Sequence, residues 1–217
     1  MSDSPAVKIM TTRTCRWTLR LSVSLREKGV PYELVDVLDR GRKADWFLAA
    51  TPFGKTPVLQ HGSRTLPESL IICEYIDETF ASGRPLLPRN PIERAWARVW
   101  LRFCDDTLIK ALSNVVRATE AAQHTRAVAA LVDEARRLDA YIGANSTLSG
   151  AGSYWEGSQL TLPDIGYYTF FDALERTGTE VRDNLLAACP QLARWRQALL
   201  ATVAFQTASR ELEALPG

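Results

Sequence analysis

Histidine and methionine are scarce, with two of each in 217 residues. His61 and His124 stand far apart, too few for a metal centre or an imidazole-based catalytic pair, and read as solvated loop or helix-end residues. No metal is therefore expected. Cysteine is limited to Cys15, Cys73, Cys104 and Cys189, with no CxxC pair among them. That spacing argues against a structural zinc site and against a disulfide framework, and reduced thiols follow. Charge of one sign is also missing: 26 Lys and Arg against 25 Asp and Glu leave a net +1, which gives no reason to expect nucleic acid or an acidic membrane as partner. No stretch approaches the roughly 20 apolar residues of a bilayer-spanning helix, and MSDSPAVKIM lacks the apolar region of a secretory signal, so the chain reads as cytoplasmic. A hydrophobic fraction of 46% is ordinary for a globular protein with a sizeable core.

Two halves differ in character. Up to about Thr79, AVKIM, YELVDV and TPVLQ read as strands, with turns at Gly54 and HGS, among helical runs. From Pro91 strand signals nearly vanish, and Ala, Leu, Arg and Glu fill long segments such as IERAWARVWLRFCDDTLIKALSNVVRAT. Between them ASGRPLLPRNP, rich in proline, reads as a connector. The expected organisation is an α/β domain over 1–80, a linker over 81–90 and an all-helical domain over 91–217.

The stretch TRTCRWTLRLSVSLREKGVPYE sets two signals against each other. Trp17, Leu19, Leu21, Val23 and Leu25 alternate with Thr18, Arg20, Ser22 and Ser24, the two-residue period of a strand. Lys28, Gly29 and Pro31 form a helix stop instead. If AVKIM and YELVDV are parallel neighbours, their connection must cross over, which a helix of this length does. The spacing predicts a helix over about 16–28.

Cys15 then stands at the N-terminal edge of that helix, where free backbone N–H groups and the dipole favour a thiolate, the nucleophilic form. Arg13 and Arg16 add positive charge in sequence. The alternative is a small packed apolar residue, which is how Cys73 and Cys104, inside apolar helical runs, are read. Cys189, before Pro190, reads as a helix-flanking residue. Thr18 occupies the place of a second CxxC cysteine, so any mixed disulfide at Cys15 must be resolved by an external thiol. In FGKTPVL, Thr56 precedes Pro57 and is biased to an extended backbone able to meet an extended peptide, though a plain proline at a strand start reads equally well. In LPESLIICEYIDE, Glu68 and Ser69 open an amphipathic helix, either as an ordinary cap or as a site where a ligand carboxylate meets the helix N-terminus and Glu68 meets an ammonium. One ligand carries a thiol, a peptide backbone and an amine plus carboxylate at one end, namely glutathione.

These pieces, with DWFLAATPFGKTPVL, RPLLPRNPIERAWARVW and the S/T-x-x-D capping box of TLPDIGYYTFFDAL, occur in an order that resembles the cytosolic glutathione transferases over most of the chain. The resemblance implies a thioredoxin-like N-terminal domain and an all-α C-terminal domain. Counting back from Lys28 and Gly29 puts Cys15 at the family's activating position, which looks like the cysteine-bearing omega class and its bacterial relatives, although Arg16 stands where a proline commonly follows the cysteine. It implies glutathione as cosubstrate and a homodimer. It also implies that Thr56 contacts the cysteinyl backbone, Pro57 is a cis-proline, Glu68 and Ser69 hold the γ-glutamyl end, and Lys43, with Arg42 as competitor, reaches the glycine carboxylate.

The implied activity is thiol transfer or glutathione-dependent reduction through a Cys15–glutathione mixed disulfide, with mixed disulfides, dehydroascorbate and quinone adducts as candidate substrates. Conjugation or reductive dehalogenation of small electrophiles, aided by Cys15 or Thr14, is the second reading, and a non-catalytic regulatory or binding module the third. A small apolar or disulfide second substrate is expected to meet apolar walls, for which Trp100 and Phe103, on one face of the first long helix, are named.

Overall fold

A short, mostly buried run, VKIMT, builds the first strand, β1 (Val7–Thr11), in a computed structural model that describes residues 6–145 and 153–216. Strand β2 (Glu33–Asp36) lies parallel to β1, Lys8 opposite Glu33 and Thr11 opposite Asp36. Helix α1 (Thr18–Glu27) makes the crossover between them. A short ribbon of β3 (Leu38–Asp39) and β4 (Arg42–Lys43) leads to α2 (Asp45–Ala50). Strand β5 (Val58–His61) pairs antiparallel both with β1 and with β6 (Arg64–Pro67), giving the order β2-β1-β5-β6. Helix α3 (Ser69–Thr79) follows. Phe47 of α2 packs with Met10, Val37 and Val58 over one face of this sheet. Parallel and antiparallel strands with covering helices make this the thioredoxin-like arrangement.

Helix α1 ends as the sequence predicts. Gly29 takes φ +64°, its N–H donates to the Arg26 carbonyl at 2.9 Å and the Val30 N–H reaches the Leu25 carbonyl at 2.9 Å, the paired bonds of a Schellman stop. Lys28, the cation at this helix stop, is 3% exposed and pairs with Asp77 of α3 at 2.7 Å. Its ammonium also donates to the Arg84 carbonyl, while Asp77 accepts the N–H groups of Leu86 and Leu87. The first part of the connector is thus knitted onto α1 and α3. Gly83 sits there with φ +72°, and a Cβ would press into the backbone carbonyl of Glu27. Gly83→Ala is expected to lose about 2–3 kcal/mol in urea unfolding, since neither the backbone angle nor the neighbouring carbonyl accommodates a side chain; an unchanged midpoint would contradict this contact.

The chain divides into two compact units, one made of the described residues up to Leu87 together with those from Thr202 onward, the other of Pro88–Ala201. The second unit is helical: α4 (Pro91–Phe103), a π-helical turn over Cys104–Leu108, α5 (Ile109–Arg117), α6 (Ala121–Asn145), α7 (Leu162–Glu175), α8 (Thr179–Ala188) and α9 (Pro190–Leu200). Asn90 caps α4 by accepting the Ile92 N–H at 3.0 Å, with Pro91 as first helical residue. Helix α7 is buried from Leu162 through Phe171. Its capping box, legible as TLPD, is present: Asp164 accepts the Thr161 N–H at 2.8 Å and hydroxyl at 2.6 Å. The same carboxylate accepts from the Trp155 N–H at 2.8 Å and the Trp195 indole N–H at 2.7 Å.

Helix α10 (Val203–Glu213) departs from the expected domain layout. Composition put it with the helical domain over 91–217, yet it packs on α1 in the first unit, burying Phe205, Ala208 and Leu212. A helix carries no compositional mark of which unit it covers, so this docking is invisible in the sequence. No helix among the described residues is long and apolar enough to cross a membrane.

Candidate functional site

The turn between β1 and α1 carries Cys15. Its N–H donates to the Thr12 carbonyl at 3.0 Å, and its carbonyl accepts the Thr18 N–H at 3.1 Å. The Thr11 and Thr18 hydroxyls bond each other beneath the turn. Cys15 lines a cavity of about 720 Å³ built within the first unit. Thr12, Thr14, Trp17, Leu38, Lys43, Lys55, Thr56, Pro57, Pro67, Glu68 and Ser69 complete the lining. Cys73, Cys104 and Cys189 are each 0% exposed, packed as small apolar groups, and burial together with Asp139 pushes the Cys189 thiol up to about 11. Cys189 also flanks α9 at its N-cap.

Six residues singled out from sequence, Cys15, Lys43, Thr56, Pro57, Glu68 and Ser69, meet in this one cavity. Lys43, on β4, donates to the Gly54 carbonyl at 2.6 Å, which ties the ribbon to the loop ahead of β5. Its competitor Arg42 instead pairs with Asp45 at 3.0 Å on the surface. The Thr56–Pro57 peptide bond is cis. Glu68, at the N-cap of α3, takes φ +72° and ψ +103°, an unfavourable backbone for a residue with a side chain. Ser69 opens the helix, whose N-terminal N–H groups favour an anion.

Two features lay outside the sequence reading. Lys55 contributes a second ammonium to the lining; it was visible inside FGKTPVL but carried no pattern of its own. Arg20, which the alternation of α1 made look like a polar spacer, is fully buried and donates to the Ser69 hydroxyl at 3.2 Å. It brings a positive charge beneath the α3 N-terminus. Arg16, expected to lend charge beside the thiol, has its guanidinium bonded to Ser209 at 3.1 Å and to Glu213 at 3.3 Å on α10.

Trp100 and Phe103 belong to the second unit, on α4. Their rings meet at 5.2 Å, and Trp100 lies 4.4 Å from the Tyr141 ring. Tyr167, Phe170 and Phe171 are fully buried core, whereas Trp96 is 48% exposed. Among the described residues, no cluster of three or more His, Cys, Asp or Glu side chains is placed to hold a metal ion.

The family profile described as glutathione S-transferase, N-terminal domain, matches residues 10–85. A probable glutathione S-transferase of rice (Oryza sativa subsp. japonica) is 32% identical over 211 residues, covering 93% of this chain and 87% of that protein. A tau-class glutathione S-transferase from mango (Mangifera indica) superposes with a TM-score of 0.83 at 28% identity, covering 95% of each chain. Glutathione transferase Omega 3C from Trametes versicolor superposes with a TM-score of 0.76 at 23% identity, covering 94% of this chain and 88% of that one. The omega likeness extends to the fold alone. The subgroup expected from Cys15 is therefore not what the relatives support; among these three, the class named for the protein nearer in sequence is tau.

Proposed function

The chain belongs to the glutathione S-transferase family, and from that premise we propose that it is an enzyme in which glutathione occupies the Cys15 cavity and Cys15 carries out thiol transfer. The observation that carries this reading is that, of the four cysteines, Cys15 is the one lining the cavity that also holds Lys43, Thr56, Pro57, Glu68 and Ser69. Lys43 and Lys55 supply cations for the glycine carboxylate of glutathione, Glu68 a partner for its ammonium, and Ser69 with the α3 N-terminus a seat for the γ-glutamyl carboxylate. Thr56 meets the peptide between.

The chemistry balances in two exchanges. The Cys15 thiolate attacks the glutathionyl sulfur of R–S–SG, forming Cys15–S–SG and releasing R–S⁻. A glutathione thiolate then attacks Cys15–S–SG, regenerating the Cys15 thiolate and leaving glutathione disulfide. Thr18 in the CxxC position supports this use of an external resolving thiol. Trp100 and Phe103 are retained as walls for a small apolar second substrate, and the homodimer inferred from the family belongs to the same reading. Intact-mass measurement of the native protein after exposure to glutathione disulfide tests it. One glutathionyl group on Cys15 is expected, and a chain that stays unmodified there counts against the mechanism.

A second reading is favoured by Thr12 and Thr14, whose hydroxyls lie 3.3 Å apart and whose residues line the same cavity. A hydroxyl there can hold the glutathione thiolate for conjugation to an electrophile without covalent work by Cys15.

A further inference from the structure

Residue 16 follows the reactive position directly, and its side chain leaves the cavity side of the turn for the C-terminal helix. The Arg16 side chain is 13% exposed, although Glu213, which it meets at 3.3 Å, is 62% exposed. The second guanidinium nitrogen reaches the Ser209 hydroxyl at 3.1 Å. Ser209 and Glu213 are four residues apart, one turn of α10, so the planar guanidinium fork engages two successive turns of one helix face. The same residue's carbonyl accepts the Leu19 N–H at 3.1 Å, within the first turn of α1.

A second tie joins the same two helices. Arg26 forms an ion pair with Glu211, and Tyr32 bridges them, accepting from Arg26 Nε at 3.1 Å and donating to Glu211 at 2.8 Å. Arg26 lies in the last turn of α1, Arg16 in the turn that precedes it. Helix α10 is thus fastened at both ends of α1, and only one fastening touches the residue next to Cys15. Ion pairs with a solvent-exposed partner, as Glu213 is here, contribute little to stability. What the Arg16 tie sets is direction: it fixes the side-chain end of a residue whose backbone neighbours the thiol on one side and the first turn of α1 on the other.

We infer that Arg16, held by Ser209 and Glu213 of α10, is a positioning residue for Cys15, and that the C-terminal helix is in this way part of the apparatus that orients the reactive thiol. The inference rests on the thiol reading above. Arg16 itself touches no reacting atom. Its neighbour Cys15 keeps its own two main-chain bonds, to Thr12 and from Thr18, only while the turn holds its shape. Small displacements of a reacting group lower rates by large factors, whereas they leave a multi-contact ligand seat nearly intact.

The Arg26 tie provides an internal control for general loosening of α10. The experiment compares wild type, Arg16→Ala, Arg16→Lys and Arg26→Ala in the intact chain, reading kcat and KM for hydroxyethyl disulfide reduction, the rate of Cys15 adduct formation from glutathione disulfide, and the thermal midpoint. Expected is a fall of at least about tenfold in kcat and in adduct rate for Arg16→Ala, with KM for glutathione within about twofold and partial recovery in Arg16→Lys. Arg26→Ala should lower the midpoint comparably while leaving kcat near wild type. Raising the salt to about 1 M should slow wild type toward Arg16→Ala and leave that variant unchanged, because the Glu213 side of the tie is solvent-exposed. If wild type forms the adduct but Arg16→Ala and Arg26→Ala slow equally, or neither slows, the positioning role is overturned and the thiol reading stands. If wild type forms no adduct, the thiol reading falls and the positioning role with it.

Discussion

Cys15→Ala is expected to lose glutathione adduct formation entirely and to lower kcat/KM for disulfide reduction by about a thousandfold or more, the scale on which removing a covalent nucleophile acts. Binding of glutathione itself should change by no more than a few-fold, because Lys43, Thr56, Glu68 and Ser69 remain around the cavity. Calorimetric titration with glutathione separates the two effects. Cys15→Ser sharpens the result: a hydroxyl cannot form the mixed disulfide but can hydrogen-bond a glutathione thiolate, so thiol transfer should vanish while conjugation of a chloronitrobenzene persists or rises. Conjugation at the wild-type rate in Cys15→Ala, together with an unmodified wild-type thiol, would transfer the reactive role to a hydroxyl such as Thr14, which shares the cavity.

Asp164→Ala should be among the most destabilising single changes in the chain, about 4 kcal/mol in urea unfolding. The carboxylate is fully buried and satisfies four donors: the Thr161 N–H and hydroxyl, the Trp155 N–H and the Trp195 indole. Alanine leaves those donors in the core without an acceptor and removes the cap of α7, around which the second unit packs. A loss below about 1 kcal/mol would mean that water replaces the carboxylate freely. The site also has a pH signature. Burial outweighs the hydrogen bonds and pushes the Asp164 carboxyl from 3.8 up to about 6. Between those values the native state holds a proton that the unfolded chain has released, so this residue's contribution is fully present below about 4 and is lost as pH rises through 6. Thr161, 2.6 Å away, can turn its hydroxyl to accept that proton. The stability difference between wild type and Asp164→Ala should therefore widen as pH falls from 6 to 4.

What the sequence disclosed, and what it hid, follows from how each signal arises. The parallel pairing of β1 with β2 and the helix between them came from topology, since parallel neighbours require a crossover. The misleading alternation over Trp17–Leu25 has a structural cause: every residue of Thr18–Leu25 is buried, so α1 has no solvent face to impose a 3.6-residue period. Strand β6 escaped notice because Arg64 and Thr65 are exposed and only the hairpin partner gives RTLP its conformation. The two-residue strands β3 and β4 are too short to carry any period.

Within the candidate site, local chemistry was legible wherever one residue type had a reason to sit at one backbone feature: Cys15 ahead of a helix, Thr56 before Pro57, Glu68 and Ser69 at a helix start. Arg20 and the Arg16 tie depend on contacts across 49 and 193 or more positions of sequence, which no local pattern encodes. Lys28 illustrates the same limit, because a cation at a helix end looks identical whether solvent or Asp77 receives it.

Glu68 carries a consequence for how this protein can change. Its φ of +72° belongs to the left-handed half of conformational space, where glycine is at ease and a residue with a Cβ gives up about 1–2 kcal/mol. The chain nevertheless keeps a carboxylate there, lining the Cys15 cavity. With Glu68 meeting the glutathione ammonium as proposed, durability and usefulness point to opposite residues at this position. Glycine would relax the backbone and erase the acidic group, so a lineage or a laboratory screen that rewards thermal robustness alone would drift toward a sturdier protein with an emptier site.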